Sequence, residues 1–321
     1  MNGALIVSLD FELFWGMHDC VSLEKYEANI IGARKAIPDL LELFKRYNVH
    51  ATWATVGFLF AENIEEINEC CPKMIEQPSY ENSKINSYRL LNMISQNEKT
   101  APEYYAKSLI KLISSYDNQE IASHTFSHYY CCENGQTVRQ FREDLKAAQT
   151  IARKNGFEIK SLVFPRNQCD DEYIKVLKDF GITSYRGLEN NWIHHLFRGW
   201  LLRLFRFIDV YIPISGKKGT KPYYNFDVLN IYGTRMYKPM VLNCRLLEYL
   251  KIRRIKKTMK AAAKRKEIFH LWWHPHNIGI NTSFYLKQLE DIFSYYTLLK
   301  RKYGFSSMTM EELSNMFKDN K

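Results

Sequence analysis

The sequence predicts an α/β fold in which short strands alternate with helices around a parallel sheet. Runs of β-forming residues recur between longer segments that have helical hydrophobic spacing, and polar clusters follow several of these runs directly. With 321 residues, the chain has room for one α/β barrel or two smaller domains. Its 46% apolar and 25% charged residues are typical of a globular protein.

The elements follow one another regularly, apart from two segments. Strands are predicted at residues 4–9, 51–56, 120–123, 161–164 and 268–273, and helices at residues 26–47, 102–116, 136–155, 171–180 and 282–303. Thr309 and Glu312 have the spacing of a capping box and predict the start of a final helix. The segments 60–102 and 191–243 interrupt this rhythm and are predicted to be insertions.

Two carboxylates, Asp10 and Glu12, lie just past the first predicted strand. Strand alternation places them on the same side, at the sheet edge where parallel α/β folds build active sites. His124 and His128 follow the third predicted strand and reach the same edge. Two histidines and one carboxylate form a common zinc-binding set with an open fourth position. Taken alone, each motif is more often structural, as a capping acid pair or as packed imidazoles.

Two further polar groups follow later strands. His274 ends the most apolar strand and is held at its rim by Pro275, a position suited to a general acid. Arg166 follows the fourth strand and is a candidate bidentate partner for a carboxylate. A histidine bonded to a backbone carbonyl and a surface arginine in a turn are the equally weighted alternatives. Four such clusters at four strand ends together favour metal-assisted hydrolysis.

The same motifs resemble the polysaccharide deacetylase family of the NodB-homology type. The similarity runs in order along nearly the whole chain: Ser-Leu-Asp10-Phe-Glu12, Ala51-Thr-Trp-Ala54, Ser-His124-Thr-Phe-Ser-His128, Phe-Pro-Arg166 and Leu-Trp-Trp-His274-Pro. The resemblance implies a distorted (β/α) barrel that forms one catalytic domain over residues 1–321, with the two insertions near 60–102 and 191–243. It also implies a hydrolase that removes N-acetyl groups from amino sugars with a divalent metal, usually Zn²⁺.

The resemblance also implies a role for each matching residue. Asp10 corresponds to the catalytic base, Glu12 with His124 and His128 to the metal ligands, Arg166 to the partner of the base, and His274 to the general acid. The family usually has Asp where this chain has Glu12, and it usually places proline after the arginine, whereas Pro165 precedes Arg166. Whether His274 or His276 is the acid stays open. The expected sugar contacts are Tyr80, Asn82, Tyr88, Trp273 and His276.

Charge narrows the choice of partners. The net charge is +10, and residues 245–266 hold ten basic residues and one acid, so the excess is local. A nucleic-acid-binding protein would spread basic and aromatic residues over a whole face, so nucleic acid is not an expected partner. The basic stripe is most simply a solvated helix face, although contact with an anionic membrane is a second interpretation. Trp192, Trp200 and Leu204 lie at helical spacing and suggest an interfacial helix or a lid.

The remaining expectations concern location and rival functions. No export signal precedes the first strand, and the seven cysteines include no C-x-x-C motif, so a cytoplasmic location is expected, with the inner membrane face as an alternative. An N-acetylated sugar in a surface polysaccharide, an oligosaccharide or a lipid-linked precursor is the expected substrate. A formyl-sugar or small-molecule amide hydrolase, and an inactive glycan-binding barrel, are the rival interpretations.

Overall fold

A curled, mostly parallel β-sheet with helices packed outside it organises the protein. The computed structural model describes residues 2–94, 97–188, 196, 198–216, 219–240 and 242–319. In this part of the chain the strands are β1 (Ala4–Phe11), β2 (Ala51–Thr55), β3 (Gln119–Ser123), β4 (Ser161–Val163), β5 (Ser184–Arg186), β6 (Tyr223–Asn225), β7 (Val228–Asn230), β8 (Arg235–Met236), β9 (Ile268–Trp273) and β10 (Ser306–Met308). The predicted α/β class is confirmed.

Helices connect most of these strands. They are α1 (Leu23–Tyr47), α2 (Ile64–Asn68), α3 (Lys107–Ser114), α4 (Val138–Lys154), α5 (Asp171–Leu177), α6 (Gly199–Tyr211), α7 (Arg245–Arg265), α8 (Thr282–Tyr303) and α9 (Met310–Lys318). The five predicted helices are all present, and the start of α3 differs most, by five residues. The predicted capping box of α9 is confirmed, because Thr309 and Glu312 bond reciprocally to each other's backbone amides.

The sheet order is β6-β7-β5-β4-β3-β2-β1-β9-β8, and β10 pairs with the first residues of β1. All of these pairs are parallel except β6 with β7. The predicted strands are present, but β5, β6, β7, β8 and β10 were not predicted. Alternation is hard to recognise in runs of two or three residues, and β4, which is equally short, was predicted because its apolar run ends at Pro165. The segment 191–243 therefore supplies three strands of the sheet as well as helix α6.

Strand β1, in the middle of the sheet, buries both of its faces, and the two faces differ in character. Every residue of β1 is buried, as expected for a strand covered on both sides. Leu5, Val7 and Leu9 pack outward against the helices, in the main hydrophobic core. Ala4 and Ile6 face the inside of the curl, where Met310 and Leu313 of α9 and small apolar residues of neighbouring strands close its amino-terminal end.

The inner face becomes polar towards the carboxyl ends of the strands. The buried polar side chains that alternation places on this face include Ser8 and Asp10 of β1, Arg186 of β5 and His270 of β9. The fold thus concentrates buried polar groups at one end of the curl. Among the described residues, no helix combines the length and the apolar character needed to cross a membrane.

Candidate metal and catalytic site

Strand β1 delivers both carboxylates to the carboxyl edge of the sheet. Asp10 and Glu12 are each only 3% exposed. Glu12 immediately precedes a short 3-10 helix, Leu13–Gly16, which turns back over its side chain. A Cβ atom on Gly16 would overlap the Glu12 carboxylate, so glycine at this position makes the space that the carboxylate occupies.

The two histidines lie on a tightly constrained loop after β3. Thr125 and His128 both have left-handed backbone conformations, with φ of 63° and 58°. Such conformations cost about 1–3 kcal/mol each in residues other than glycine and persist only where the surroundings enforce them. Asp144 of α4 provides that support, because its carboxylate accepts hydrogen bonds from the amides of Phe126 at 2.7 Å and Ser127 at 3.2 Å. Burial raises the pKa of Asp144 to about 6.

Glu12, His124 and His128 converge on one point. The Nε2 atoms of His124 and His128 lie 3.2 Å and 3.0 Å from Glu12 Oε2. One potential ligand atom from each of the three side chains lies within 4.8 Å of the other two, and all three residues are buried. The sequence prediction that these residues come together is therefore confirmed, while the binding of a metal stays a proposal.

The protonation states favour a ligand role for the cluster. Burial raises the pKa of Glu12, but the nearby imidazoles of His274, His124 and His128 outweigh it and hold that pKa well below its ordinary value. Burial lowers the pKa of His128 to about 4, even though Glu12 opposes the shift. At neutral pH the cluster therefore presents an ionised carboxylate and a neutral His128, which are the forms that bind metals.

The hydrogen bonds of His124 show which of its ring nitrogens is available to bind a metal ion. Its Nδ1 lies 2.8 Å from the backbone oxygen of Val163, so Nδ1 carries the proton and Nε2 keeps a lone pair. That buried Nε2 makes no hydrogen bond and faces the Glu12 carboxylate. Two lone-pair-bearing atoms this close repel each other unless a proton or a metal cation lies between them, and a metal cation would satisfy both. The donor set, two imidazoles and one carboxylate, matches Zn²⁺.

Asp10 is held by an arginine that the sequence analysis missed. Arg186 of β5 donates to both carboxylate oxygens of Asp10, at 2.6 Å and 2.7 Å. The same guanidinium donates to Ser8 Oγ at 3.0 Å and Asn167 Oδ1 at 3.1 Å, and stacks 4.1 Å from the ring centroid of Trp272. Burial raises the pKa of Asp10, but Arg186 outweighs it and keeps that pKa below the ordinary value.

A buried histidine completes the support behind this pair. His270 Nδ1 lies 3.2 Å from the Ile231 carbonyl and Nε2 lies 2.8 Å from Ser8 Oγ. Burial, followed by the positive charge of Arg186, lowers the pKa of His270 to about 3, so it is neutral at physiological pH. The Ser8 hydroxyl therefore donates to His270 and accepts from Arg186, which fixes the orientation of the guanidinium.

The predicted contact between Arg166 and Asp10 is wrong. Arg166 forms an ion pair with Asp19 instead, and its guanidinium lies 4.6 Å from the Tyr130 ring centroid. Pro165 opens a short 3-10 turn in which Arg166 has a φ of 52°, and this turn directs the side chain away from Asp10. The signal for Arg186 lay in Thr-Ser-Tyr-Arg after Gly181, where alternation aims the arginine inward at a strand's carboxyl end.

His274 and His276 both lie near the carboxylates, and their surroundings differ. His274 Nε2 is 3.5 Å from Asp10 Oδ2 and 3.7 Å from Glu12 Oε1, with its side chain 21% exposed. His276 Nε2 is 3.9 Å from Glu12 Oε1 and is buried. Its ring stacks on that of His274, with centroids 5.1 Å apart, and burial lowers its pKa to about 4. The accessible His274 is the better placed of the two to meet a substrate.

The other predicted sugar contacts are not found at the site. Trp273 is fully buried on the outer face of β9, where it packs against Phe44, because alternation points Trp272 inward instead. Tyr80 and Tyr88 are buried: the Tyr80 hydroxyl accepts from the Tyr130 amide, and Tyr88 donates to Asp144 at 3.4 Å. Asn82 is exposed and caps a short 3-10 helix. The two tyrosines and Asn82 therefore support loops, and Trp273 belongs to the core.

Comparison with known protein families shows what this chain is similar to. Residues 31–185 match the polysaccharide deacetylase family model. The resemblance deduced from the motifs is therefore confirmed. The matched range contains His124 and His128 and ends one residue before Arg186. No curated protein sequence matches the chain significantly.

Solved structures support the fold. A candidate polysaccharide deacetylase from Mycobacterium smegmatis aligns with a TM-score of 0.61 and 11% identity, covering 100% of this chain and 92% of the other. A second candidate polysaccharide deacetylase, from Pseudomonas aeruginosa PAO1, aligns with a TM-score of 0.54 and 14% identity, covering 97% of this chain and 88% of the other. A GH57-type branching enzyme from Pyrococcus horikoshii aligns with a TM-score of 0.54 and 12% identity, covering 100% of this chain and 71% of the other. At these identities the likeness shows the fold alone, a deacetylase-type (β/α) barrel.

Proposed function

We propose that this protein is a metal-dependent deacetylase that hydrolyses the N-acetyl group of an amino sugar. The observation that carries the proposal is the convergence of Glu12, His124 and His128 beside the ion pair of Asp10 with Arg186. The sugar belongs to a surface polysaccharide, an oligosaccharide or a lipid-linked precursor, and the whole chain acts as one catalytic domain. The family match supports an acetylated polysaccharide as the substrate class.

Glu12, His124 and His128 would hold the divalent ion, with Zn²⁺ favoured by the ligand types. When bound, such an ion polarises the acyl carbonyl and makes water more acidic. Asp10, kept ionised by Arg186, accepts the proton of the water that attacks the acyl carbon. His274 gives a proton to the departing nitrogen as the C–N bond breaks, so the products are acetate and the free amine.

The test is release of acetate from a panel of N-acetylated sugars by the metal-loaded protein. Asp10→Asn and His274→Ala each remove a proton-transfer group, and we expect activity to fall by about 10²–10⁴-fold. Arg166→Gln is the matched control. Arg166 lies on the short turn that follows β4, but it pairs with Asp19 and not with Asp10. Formate release from N-formyl sugars would favour the deformylase alternative, and binding of sugars without release of either acid would favour the inactive barrel.

We also propose peripheral contact with an anionic membrane surface, on the cytoplasmic side. Helix α6 exposes Trp200 by 70% and Leu204 by 43%, and the exposed basic residue Arg198 precedes it. Exposed aromatic and apolar side chains beside cations suit an anionic lipid interface. Trp192, part of the predicted interfacial pattern, lies outside the described residues.

This contact predicts co-sedimentation with phosphatidylglycerol vesicles and little binding to neutral phosphatidylcholine vesicles. Trp200→Ser should weaken the binding, whereas Ile75→Ser, at an apolar side chain elsewhere that is 86% exposed, should not. Equal loss in both variants, or no preference for anionic lipid, would exclude α6 as the contact.

A further inference from the structure

A cavity of about 140 Å³ lies beside the catalytic site. Trp272, Asn167 and Gly187 line it. Arg186 stacks on the Trp272 ring at 4.1 Å, and the His274 ring lies 5.9 Å from that same ring, centroid to centroid. The Trp272 indole therefore lies between the cavity and the ion pair of Asp10 with Arg186.

The cavity is lined by an excess of cations. Five basic side chains and one carboxylate contribute to its wall: Arg206, Arg235, Lys238, Lys251, Arg254 and Asp209. They come from α6, β8 with the residues after it, and α7. Liquid water takes about 30 Å³ per molecule, so the space admits several waters or one tetrahedral anion.

Only part of this positive charge is neutralised. Asp209 pairs with Arg235 at 3.0 Å and with Arg254 at 2.7 Å. Glu248, outside the cavity wall, pairs with Lys251 at 2.6 Å. Within the described part of the chain, no carboxylate lies within ion-pair distance of Lys238 or Arg206. Lys238 is half-buried, whereas Arg206 is exposed at the rim. Because a half-buried cation is costly without a counter-charge, the wall favours an anionic occupant.

The basic groups are also held in place before any ligand arrives. Ser215 Oγ accepts from Arg235 at 2.8 Å and Arg254 at 3.0 Å, and donates to Asp209 at 2.9 Å. Burial, together with the charge of Arg206, lowers the pKa of Lys238. A phosphoryl ligand offers enough oxygens to pair with several positioned guanidinium and ammonium groups. A ligand with a single carboxylate would leave several of these cations without a partner.

We propose that this cavity binds a phosphoryl group attached to the sugar whose acyl group is hydrolysed. The proposal rests on the proposed deacetylase function and narrows its substrate to a phosphorylated N-acyl amino sugar. The phosphoryl group anchors the sugar and takes no part in bond cleavage. A sugar phosphate, a nucleoside diphosphate sugar and a lipid diphosphate sugar all present this chemistry.

The first test uses inorganic pyrophosphate and phosphate as probes, with calorimetric titration of the full-length protein in chelator. We expect saturable binding that Lys238→Gln and Arg206→Gln each weaken by about 10-fold or more, the loss of one charge-assisted hydrogen bond. Arg203→Gln is the matched control, since Arg203 lies exposed on the same helix and does not line the cavity. Absence of saturable binding, or an equal loss in the control, overturns the proposal.

The second test links the cavity to catalysis. With metal-loaded protein, we would compare kcat/KM for N-acetylglucosamine 1-phosphate and unphosphorylated N-acetylglucosamine. The ratio of the two values should fall about 10-fold in Lys238→Gln and stay constant in Arg203→Gln. UDP-N-acetylglucosamine and a lipid diphosphate sugar in vesicles then distinguish the source of the phosphoryl group.

The two proposals fail separately. Pyrophosphate binding without acetate release from any sugar would contradict the deacetylase proposal and support only an anion-binding site. Acetate release with an unchanged kcat/KM ratio in Lys238→Gln would support the deacetylase proposal and contradict the proposed phosphoryl site.

Discussion

Replacing Arg186 with methionine tests the support of Asp10 most sharply. Arg186 and Asp10 are 1% and 4% exposed, and two hydrogen bonds of 2.6 Å and 2.7 Å join them. Arg186→Met keeps the length of the side chain but leaves a buried carboxylate without its counter-charge. Removing one partner of a buried ion pair typically destabilises a protein by about 3–5 kcal/mol. We expect a loss of that size.

The assay is urea unfolding at pH 7 in chelator, so that metal release adds nothing to the difference. The double variant Arg186→Met/Asp10→Asn removes the stranded charge as well, and it should recover roughly half of the lost stability or more. Arg166→Gln is the control: that arginine is 37% exposed, and its pair with Asp19 should contribute about 1 kcal/mol or less. If Arg186→Met loses no more than Arg166→Gln, or if the double variant recovers nothing, the reasoning is refuted.

Three further predictions concern the groups around this pair. Gly16→Ala puts a methyl group where the Glu12 carboxylate lies, so metal affinity, measured by competition with a chromophoric chelator, should fall about 10–100-fold. Asp144→Ala frees the loop of residues 124–128, and metal affinity should fall by a similar factor while the loop amides lose their buried acceptor. For Asp10, the ionic form stabilises the fold above its unfolded pKa of 3.8 and loses that contribution as pH falls through the lowered folded pKa, so the stability gap between wild type and Asp10→Asn should narrow below about pH 4.

Each of these has a contrary outcome. Unchanged metal affinity in Gly16→Ala would mean that Glu12 has another position available. Normal affinity in Asp144→Ala would mean that the left-handed residues hold the loop without α4. A stability gap for Asp10→Asn that stays constant down to pH 2 would contradict the lowered pKa.

The sequence was sufficient to predict the site residues that follow long, strongly patterned strands. Asp10 lies at the carboxyl end of β1, Glu12 follows β1, and His274 follows β9. Both strands are apolar enough to be recognised and to fix which side chains point inward. The capping box of α9 depends only on neighbouring residues, so it was also predictable.

Other features depended on contacts that no local pattern encodes. Arg186 lies on a three-residue strand, and its partner Asp10 is 176 positions away in the sequence. Trp272 is the residue of β9 that points inward, and its neighbour Trp273 points outward. The prediction of Trp273 as a sugar contact was therefore wrong by one residue.

The basic helix α7 was expected to be a solvated face, yet two of its cations are buried. Lys251 and Arg254 are 2% and 3% exposed, because Glu248 on the same helix and Asp209 on α6 pair with them. The helix sequence alone could not reveal Asp209, since that carboxylate comes from another element.

The most direct test of the central claim is the metal content of the purified protein, measured together with acetate release. Wild type, His128→Ala and Arg166→Gln would be reloaded with Zn²⁺, dialysed and analysed for bound metal, then assayed on N-acetylated sugars with and without chelator. The account predicts about one ion per chain in wild type and Arg166→Gln, little in His128→Ala, and acetate release that follows the metal. Equal metal in all three proteins, or acetate release that chelator leaves intact, would contradict it.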